Sequence, residues 1–417
     1  MSQSYLAAAA ERTTNATTAK ARIAVVGCGG WTQGWHLPNL SHRTDAVIAA
    51  LVDPAEQPGV GGCVPSICKS MTELCQQYGA PRYASIEALL ADKDALQLDG
   101  VLCAAPHRFH GAIGTAVLKA GLHLLMEKPM TADVPEARAL YEEARAHPDC
   151  AFLINNTANF QAGSLAAHAM VSSGKVGEVR LVNAVFAAPL AWLFEGEGHE
   201  PWTKPSGTMV GNGFGWGQLS HAFAWIYFVT GVTPKTVYAV SSASPATGAD
   251  VIDAMTITCT SGCTISACGI GTIPDHGFKV VGNWVFGTAG MLSYGGLAGS
   301  DNVENEEAAG SGSGTTGARD PDAPVGQGAA TAPRRQRLEL WRHDGAYEVG
   351  PRFDFEYLEQ ESTGPGSMDA FVDACRGLPY TVSAGPVEGL KTVSTIDAIY
   401  RSAKEGKAVA VVGCEGL

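Results

Sequence analysis

Residues 21–148 alternate short, continuously apolar runs with segments of helical period, and this alternation constrains the fold more than any other feature. The apolar runs are Arg22–Val26, Ala46–Val52, Gly100–Ala105 and Leu122–Met126. A strand covered on one face alternates apolar and polar residues, whereas a strand buried on both faces reads as an unbroken apolar run. Between the runs, spacing predicts helices over Ser66–Tyr78, Ser85–Leu90, His110–Ala120 and Val134–Ala146. In the third of these Ile113, Ala116, Val117 and Ala120 share one face, and Gly121 stands at the stop position. Strand and helix in repetition predict an α/β unit, a doubly wound parallel sheet with helices on both faces.

The pattern changes after Cys150. Strand-like runs follow at Val179–Ala187, Thr236–Ser241, Ala254–Thr260, Cys263–Cys268, Phe278–Phe286 and Arg337–Trp341, several joined by short turns such as Ser261-Gly262. One apolar helix is expected over Gly217–Val229, and another over Pro386–Glu405 with Val387, Leu390, Val393 and Tyr400 inward and Gly406 at its end. This is the order of an α+β domain with an open, mainly antiparallel sheet. Residues 299–336 are rich in Gly, Ala, Ser, Pro and acidic residues without hydrophobic period, and read as a disordered insertion. The expected organisation is a disordered tail over 1–20, a first domain over 21–148 and a second over 149–417. An apolar sheet face without helices needs cover, so a homodimer or homotetramer through that face is expected.

The charge balance narrows the partners. Net charge is −13, and charged residues are only 17% of the 417, which disfavours a phosphate-backbone binder and an anionic membrane surface. The longest apolar run, Ala222–Val229, is far short of a membrane span, and Met1–Lys20 lacks the apolar core of a secretory signal. A cytoplasmic protein is expected. The 11 cysteines show no CxxC spacing, and Cys259, Cys263 and Cys268 have no histidine at ligand spacing, so reduced thiols and no metal are expected.

Two stretches carry chemistry. The first strand ends at Gly27-Cys28-Gly29-Gly30-Trp31, where backbone N–H groups and a helix start can hold a pyrophosphate. Gly27 and Gly29 fit the first two positions of the dinucleotide fingerprint. Thr32 occupies the third in place of glycine, with Gly34 nearby. Asp53 ends the second strand, where a carboxylate accepts from a ribose 2′-hydroxyl and repels a 2′-phosphate, so NAD is expected over NADP. Further on, Glu127-Lys128-Pro129 follows an apolar strand at the carboxyl end of the sheet, where such folds bind ligands. Pro129 keeps Lys128 out of helical geometry. A lysine there, beside a cationic ring and partly desolvated, can hydrogen-bond or deprotonate a substrate hydroxyl.

Together with His36, with Pro106 and His110, and with Ala120-Gly121-Leu122-His123 leading into the Glu127 motif, these stretches resemble the glucose-fructose oxidoreductase / inositol dehydrogenase / rhizopine-catabolism (Gfo/Idh/MocA) family. The segments Gly385-Pro386-Val387-Glu388-Gly389 and Ala398-Ile399-Tyr400-Arg401-Ser402-Ala403 resemble that family's end, so the likeness spans about residues 21–410 without the insertion. It implies an N-terminal Rossmann domain, a nicotinamide cofactor and a sugar-like alcohol substrate, without nucleic acid or membrane. The turn and the resemblance together set the cofactor-binding residues as Gly27, Gly29, Gly30, Trp31, Thr32, Asp53, Pro106, His110, Glu127 and Lys128. The family's second signature is an aspartate four residues before a histidine on a helix. His221 fits the histidine, but Gly217 stands where the aspartate is expected. Lys128 and His221 are therefore the expected catalytic pair. Trp192, Phe194, His199 and Trp202, between Pro189 and Pro205, can stack on a sugar ring, and Asn155 and Asn156 can face the nicotinamide. The expected activity is hydride transfer between a secondary alcohol of a sugar, polyol or glycoside and the nicotinamide. An NAD-dependent glycosidase and a non-catalytic dinucleotide-binding regulator are the alternatives.

Overall fold

A computed structural model describes residues 20–59, 68–196, 213–274, 279–295, 338–351 and 366–417. The expected tail short of Lys20, the insertion at 299–336, Cys63, His199 and Trp202 lie outside the described residues. The chain builds two sheets. The first comprises β1 (Ala21–Val26), β2 (Ala46–Val52), β3 (Arg82–Tyr83), β4 (Gly100–Cys103), β5 (His123–Met126) and β6 (Phe152–Ile154). All are parallel, in the order β3-β2-β1-β4-β5-β6. The strand order reverses between β1 and β4, and the crevice there is the binding position of such sheets. The apolar runs behave as their composition requires: Ile23, Ala24 and Val25 are fully buried, as are Val101 and Leu124.

Local signals set the helix boundaries. Ser70 accepts from the Glu73 N–H while the Glu73 carboxylate accepts from the Ser70 N–H, starting the helix at Met71, five residues after the expected start at Ser66, which lies outside the described residues. Ser85 caps Ile86–Ala91 and Asp133 caps Val134–Ala146 through the Glu136 N–H.

The expected boundary at 148 does not hold for the sheet. β6 pairs with β5 as the sixth strand, and the helix Gly366–Cys375 returns from the far end of the chain to cover this sheet, with Phe371 and Val372 fully buried. A Cβ on Gly100 would lie 2.7 Å from the Cys375 sulfur and 2.8 Å from the Phe371 ring. No local pattern reveals this, because the helix and the strand it packs on are separated by most of the chain.

The second sheet holds β7 (Val179–Ala187), β8 (Pro234–Ala243), β9 (Asp250–Cys259), β10 (Thr264–Ile270), β11 (Val280–Gly287), β12 (Gly290–Gly295), β13 (Leu338–Arg342), β14 (Tyr347–Val349) and β15 (Val409–Ala410). The order is β14-β13-β12-β11-β7-β10-β9-β8-β15, antiparallel except for β7 with β10. Along β9, Val251, Met255 and Ile257 point inward while Ile252 and Thr256 point out. The inner face lies under two helices, Ser220–Thr230 and Pro386–Glu405. Among the described residues no helix covers the outer face, which carries Tyr238, Val240, Ile252 and Trp341 exposed. Cys263 faces inward and Cys268 outward, so the three clustered cysteines do not share a face. Among the described residues no helix is long and apolar enough to cross a membrane.

Candidate active site

The site is assembled where the carboxyl ends of the first sheet meet the helix Ser220–Thr230 of the second domain. Gly27 adopts φ +85°, and a Cβ there would sit 2.5 Å from the Ala105 nitrogen, so the turn admits only glycine. Thr32 takes the third fingerprint position constructively, its buried hydroxyl donating to the Gly27 carbonyl at 2.6 Å. Gly34 has open space where its Cβ would point and does not replace the missing glycine. The N–H groups of Gly29, Gly30 and Trp31 open the following helix, where intrahelical acceptors are lacking by geometry. Asp53 accepts from the Cys28 N–H with Oδ2 and from the Ala55 N–H with Oδ1, both at 2.9 Å, which anchors its carboxylate beside the glycine turn. The close-approach glycine, the free helix start and this placed carboxylate fit a dinucleotide. Arg82 donates to the Asp53 carbonyl at 3.3 Å and pairs with Glu56.

Glu127 is the hub of the next layer. Its Oε1 accepts from Trp31 Nε1 at 2.9 Å, from Asn155 Nδ2 at 2.7 Å and lies 2.8 Å from His36 Nε2. Its Oε2 accepts from the Lys128 N–H at 3.1 Å. Asn155 is itself oriented, because Ser367 on the returning helix donates to its Oδ1 at 2.6 Å. Burial alone would raise the Glu127 carboxyl, but the hydrogen bond and charge of His36, then Asn155 and Lys128, outweigh it and bring the group down to about 2. Glu127 is thus a permanent carboxylate.

Lys128, which precedes a cis peptide to Pro129, extends from this hub across the domain boundary. Its Nζ donates to the Gly217 carbonyl at 2.7 Å. Gly217 lies in a π-type turn over Gly215–Leu219 that leads into the helix expected at this place. One turn later stands His221, half-buried in an otherwise apolar helix. Burial, then the charges of Lys128 and Lys279, hold its ring well below the usual histidine range, with Glu127 opposing weakly. The entry to this segment is fixed from behind: Asp250 Oδ2 accepts from the Gly215 N–H and Oδ1 from the Tyr400 hydroxyl, both at 2.7 Å.

The expected residues divide into groups. The glycine turn, Trp31, Asp53, Glu127, Lys128 and His221 converge on one crevice. Pro106 is exposed at the end of β4. His110 is placed otherwise than for ligand contact: its ring is fully buried, with Nδ1 3.0 Å from the Pro129 carbonyl and Nε2 2.8 Å from the Ala105 carbonyl. It joins two loops of the site from beneath. Phe194 is core, packed edge-on to Phe214, whereas Trp192 is 49% exposed. Sequence reasoning missed His107, whose ring is brought down to about 3 by burial and then by His110 and Lys128, and it missed Lys279. Neither carries a local motif, since both are placed by packing.

Comparison with known proteins agrees with this architecture. Residues 21–154 match the profile described as oxidoreductase family, NAD-binding Rossmann fold (GFO_IDH_MocA), and residues 164–293 match the GFO/IDH/MocA C-terminal domain. The chain is 30% identical over 152 residues to trans-1,2-dihydrobenzene-1,2-diol dehydrogenase of Danio rerio, covering 36% of this chain and 44% of that protein. It is 25% identical over 169 residues to inositol 2-dehydrogenase of Corynebacterium glutamicum, covering 40% of this chain and 46% of that one. The aligned region thus spans less than half the length of these relatives. An oxidoreductase from Agrobacterium radiobacter, solved with NAD+, L-tartaric acid and magnesium, superposes with a TM-score of 0.65 at 16% identity over 94% of this chain and 98% of that one, which establishes the shared fold. Two domain profiles from one family, matched in order along a chain with the corresponding pair of sheets, make this protein a member of the GFO/IDH/MocA oxidoreductase family.

Proposed function

We propose that the protein is an NAD-dependent dehydrogenase that oxidises a secondary alcohol of a sugar-like or polyol substrate. The observation that carries this reading is the Lys128 Nζ bonded at 2.7 Å to the Gly217 carbonyl, one helical turn from His221, at the carboxyl end of the nucleotide-binding sheet. A nicotinamide cofactor, held by the Gly27–Trp31 turn and Asp53, would supply the acceptor for the hydride of the carbinol carbon. His221, neutral at working pH, takes the hydroxyl proton, and Lys128 orients the oxygen and stabilises its developing negative charge. Glu127 fixes the backbone from which Lys128 extends. Preference for NAD over NADP follows from Asp53, whose carboxylate would repel a 2′-phosphate.

Names of relatives support the substrate class: inositol and a dihydrodiol both present vicinal secondary hydroxyls. We further propose that the outer face of the second sheet, with its shallow concavity lined by Tyr238, Val240, Thr256, Cys268 and Trp284, joins copies of the chain into a homodimer or homotetramer. The thiol-rich composition suits the cytoplasm. The test of function is absorbance of reduced nicotinamide during a screen of sugars, polyols, sugar acids and glycosides. Accumulation of NADH is the expected result. Product release from a glycoside without it would make the protein a glycosidase, and silence with intact NAD binding would make it a regulator. Sedimentation that finds only monomer at micromolar concentration would overturn the oligomer.

A further inference from the structure

The β9–β10 hairpin closes on a pair of cysteines that the oxidoreductase chemistry does not use. Cys259 ends β9 and Cys263 stands one residue before β10. The ladder that pairs Thr258 with Thr264 continues through them, the Cys259 N–H donating to the Cys263 carbonyl at 2.8 Å. Side chains alternate between the faces of a strand, so Cys259 falls with Ile257, and Cys263 with Ile265, on the inner face. All four are buried. Directly opposed residues of an antiparallel ladder keep their Cα atoms about 4.5–5.5 Å apart, inside the roughly 4.4–6.8 Å that a disulfide spans. The fold thus sets two thiols opposite each other on one side of the sheet.

The pair is chemically asymmetric. A hydrogen bond from Cys259 lowers the Cys263 thiol from its ordinary value against the effect of burial, while the same bond, then burial, raises Cys259. Cys263 therefore gives up its proton first, and Cys259 keeps its own. The Lys391 ammonium donates to the carbonyls of Gly231 at 3.2 Å and Val232 at 3.0 Å, and its charge reaches Cys259 and Cys414. A thiolate in such surroundings is the nucleophilic form of cysteine. Access comes through the turn. Thr260, Ser261 and Gly262 are exposed, and Gly262 stands at φ +85°. The Gly262 N–H donates to the Cys259 carbonyl at 3.1 Å and the Thr260 N–H to the Thr233 carbonyl at 2.9 Å. A hairpin end held by turn bonds opens more readily than the body of a sheet, and opening uncovers both sulfurs.

We propose that Cys259 and Cys263 form a reversible oxidation site that takes small hydroperoxides. The Cys263 thiolate attacks a peroxide oxygen, the O–O bond breaks, and the departing oxygen takes up the proton that Cys263 released. A sulfenic acid remains on Cys263. The Cys259 sulfur then attacks Cys263 Sγ, the S–O bond breaks, and the hydroxyl leaves as water with the Cys259 proton. Each sulfur gives up one electron and the peroxide gains two. Closing the disulfide before a second peroxide arrives spares Cys263 from the sulfinic acid, which thiols do not reverse. This site goes beyond the dehydrogenase reading and does not depend on it.

The experiment treats the reduced full chain with stoichiometric hydrogen peroxide, blocks free thiols with one alkylating reagent, reduces, and labels the released thiols with a second. Cys259, Cys263 and Cys268 share one tryptic peptide between Lys235 and Lys279, so the outward Cys268 serves as an internal control. The expected result is about tenfold more second label at Cys259 and Cys263 than at Cys268. In Cys259→Ala, which lacks the resolving sulfur, a dimedone probe should trap the sulfenic acid on Cys263, and excess peroxide should carry it to the sulfinic acid. In Cys263→Ala, Cys259 should stay reduced. Far-ultraviolet circular dichroism reports whether each variant is folded, and labelling of the wild type decides the pairing even where a variant is not. Thiols at 259 and 263 that stay reduced while Cys268 oxidises, or a disulfide joining either to Cys414, overturn the proposal. So does a wild-type Cys263 that reaches the sulfinic acid as readily as in Cys259→Ala.

Discussion

The ammonium of Lys128 and the backbone carbonyl of Gly217 are hydrogen-bonded at 2.7 Å across the two domains. A neutral carbonyl orients the lysine by accepting from one of its three N–H donors. The same carbonyl belongs to the turn that carries His221, and one bond therefore sets the spacing of both groups. A side chain at 217 would meet only ordinary contact with Phe194, at 3.5 Å. Replacing Gly217 with aspartate is thus sterically open. It would set a carboxylate at i−4 from His221 and beside Lys128, which favours the protonated ring. Gly217→Asp is expected to move the acid limb of the kcat/KM profile to higher pH by roughly 0.5–1 unit. An unmoved acid limb would separate His221 from position 217.

Removal of either group should cost rate. General acid–base assistance is worth about 10²–10⁴-fold, so His221→Ala and Lys128→Ala should each lower kcat by that order with NAD affinity nearly intact. The wild-type pH profile follows from the environment of His221. Burial, then the charges of Lys128 and Lys279, hold the ring below its ordinary value, so it stays neutral as pH falls through 6.5. Oxidation should therefore persist to mildly acidic pH. Full kcat in His221→Ala on the true substrate would make His221 a core residue.

The proposed preference for NAD rests on Asp53. With the carboxylate gone, Arg82, which already donates to the Asp53 carbonyl at 3.3 Å, would offer a cation to a 2′-phosphate bound there. Asp53→Ser should shift the NADP-to-NAD ratio of kcat/KM toward NADP by about tenfold or more, as loss of a repulsive charge beside a cation predicts. Calorimetry showing that wild type already prefers NADP would refute the assignment.

A buried pair of carboxyls, Asp250 and Asp253, sets part of the pH dependence of stability. Asp253 is fully buried, accepts from the Ser241 hydroxyl at 2.5 Å and faces Asp250. Burial, then the Asp250 charge, raises its carboxyl to about 8. A carboxyl that binds its proton more tightly when folded stabilises fully below the unfolded value near 4 and loses that contribution as pH rises toward 8. Asp253→Asn keeps the hydroxyl bond and cannot ionise. It should gain roughly 1–3 kcal/mol over wild type at pH 8 and little at pH 4, read as thermal midpoints across that range. An equal difference at both pH values would remove the ionisation from the account.

Much of this protein is determined by its sequence locally. Residues 23–26 are apolar on both sides and end in Gly27, which reads as a buried strand followed by a tight, positive-φ turn, and Asp53 and Lys128 follow from their places at strand ends. Helix limits such as Val134–Ala146 and Pro386–Glu405 were legible because caps, prolines and glycines act over a single turn. Tertiary structure alone decided the rest. The helix Gly366–Cys375 completes the first sheet and brings Ser367 to Asn155, which then aims its amide at Glu127. His110, conspicuous beside Pro106, became a buried link between two carbonyls because the loops of β4 and Pro129 close over it. Lys279 and the Gly217 carbonyl reached the site by packing of aromatic rings drawn from β7, from Ala191–Phe194 and from the entry to the His221 helix. Local pattern records what a residue can do within its own strand or turn. Which distant groups share a crevice depends on burying faces whose partners lie hundreds of residues apart, and only the folded chain makes that choice.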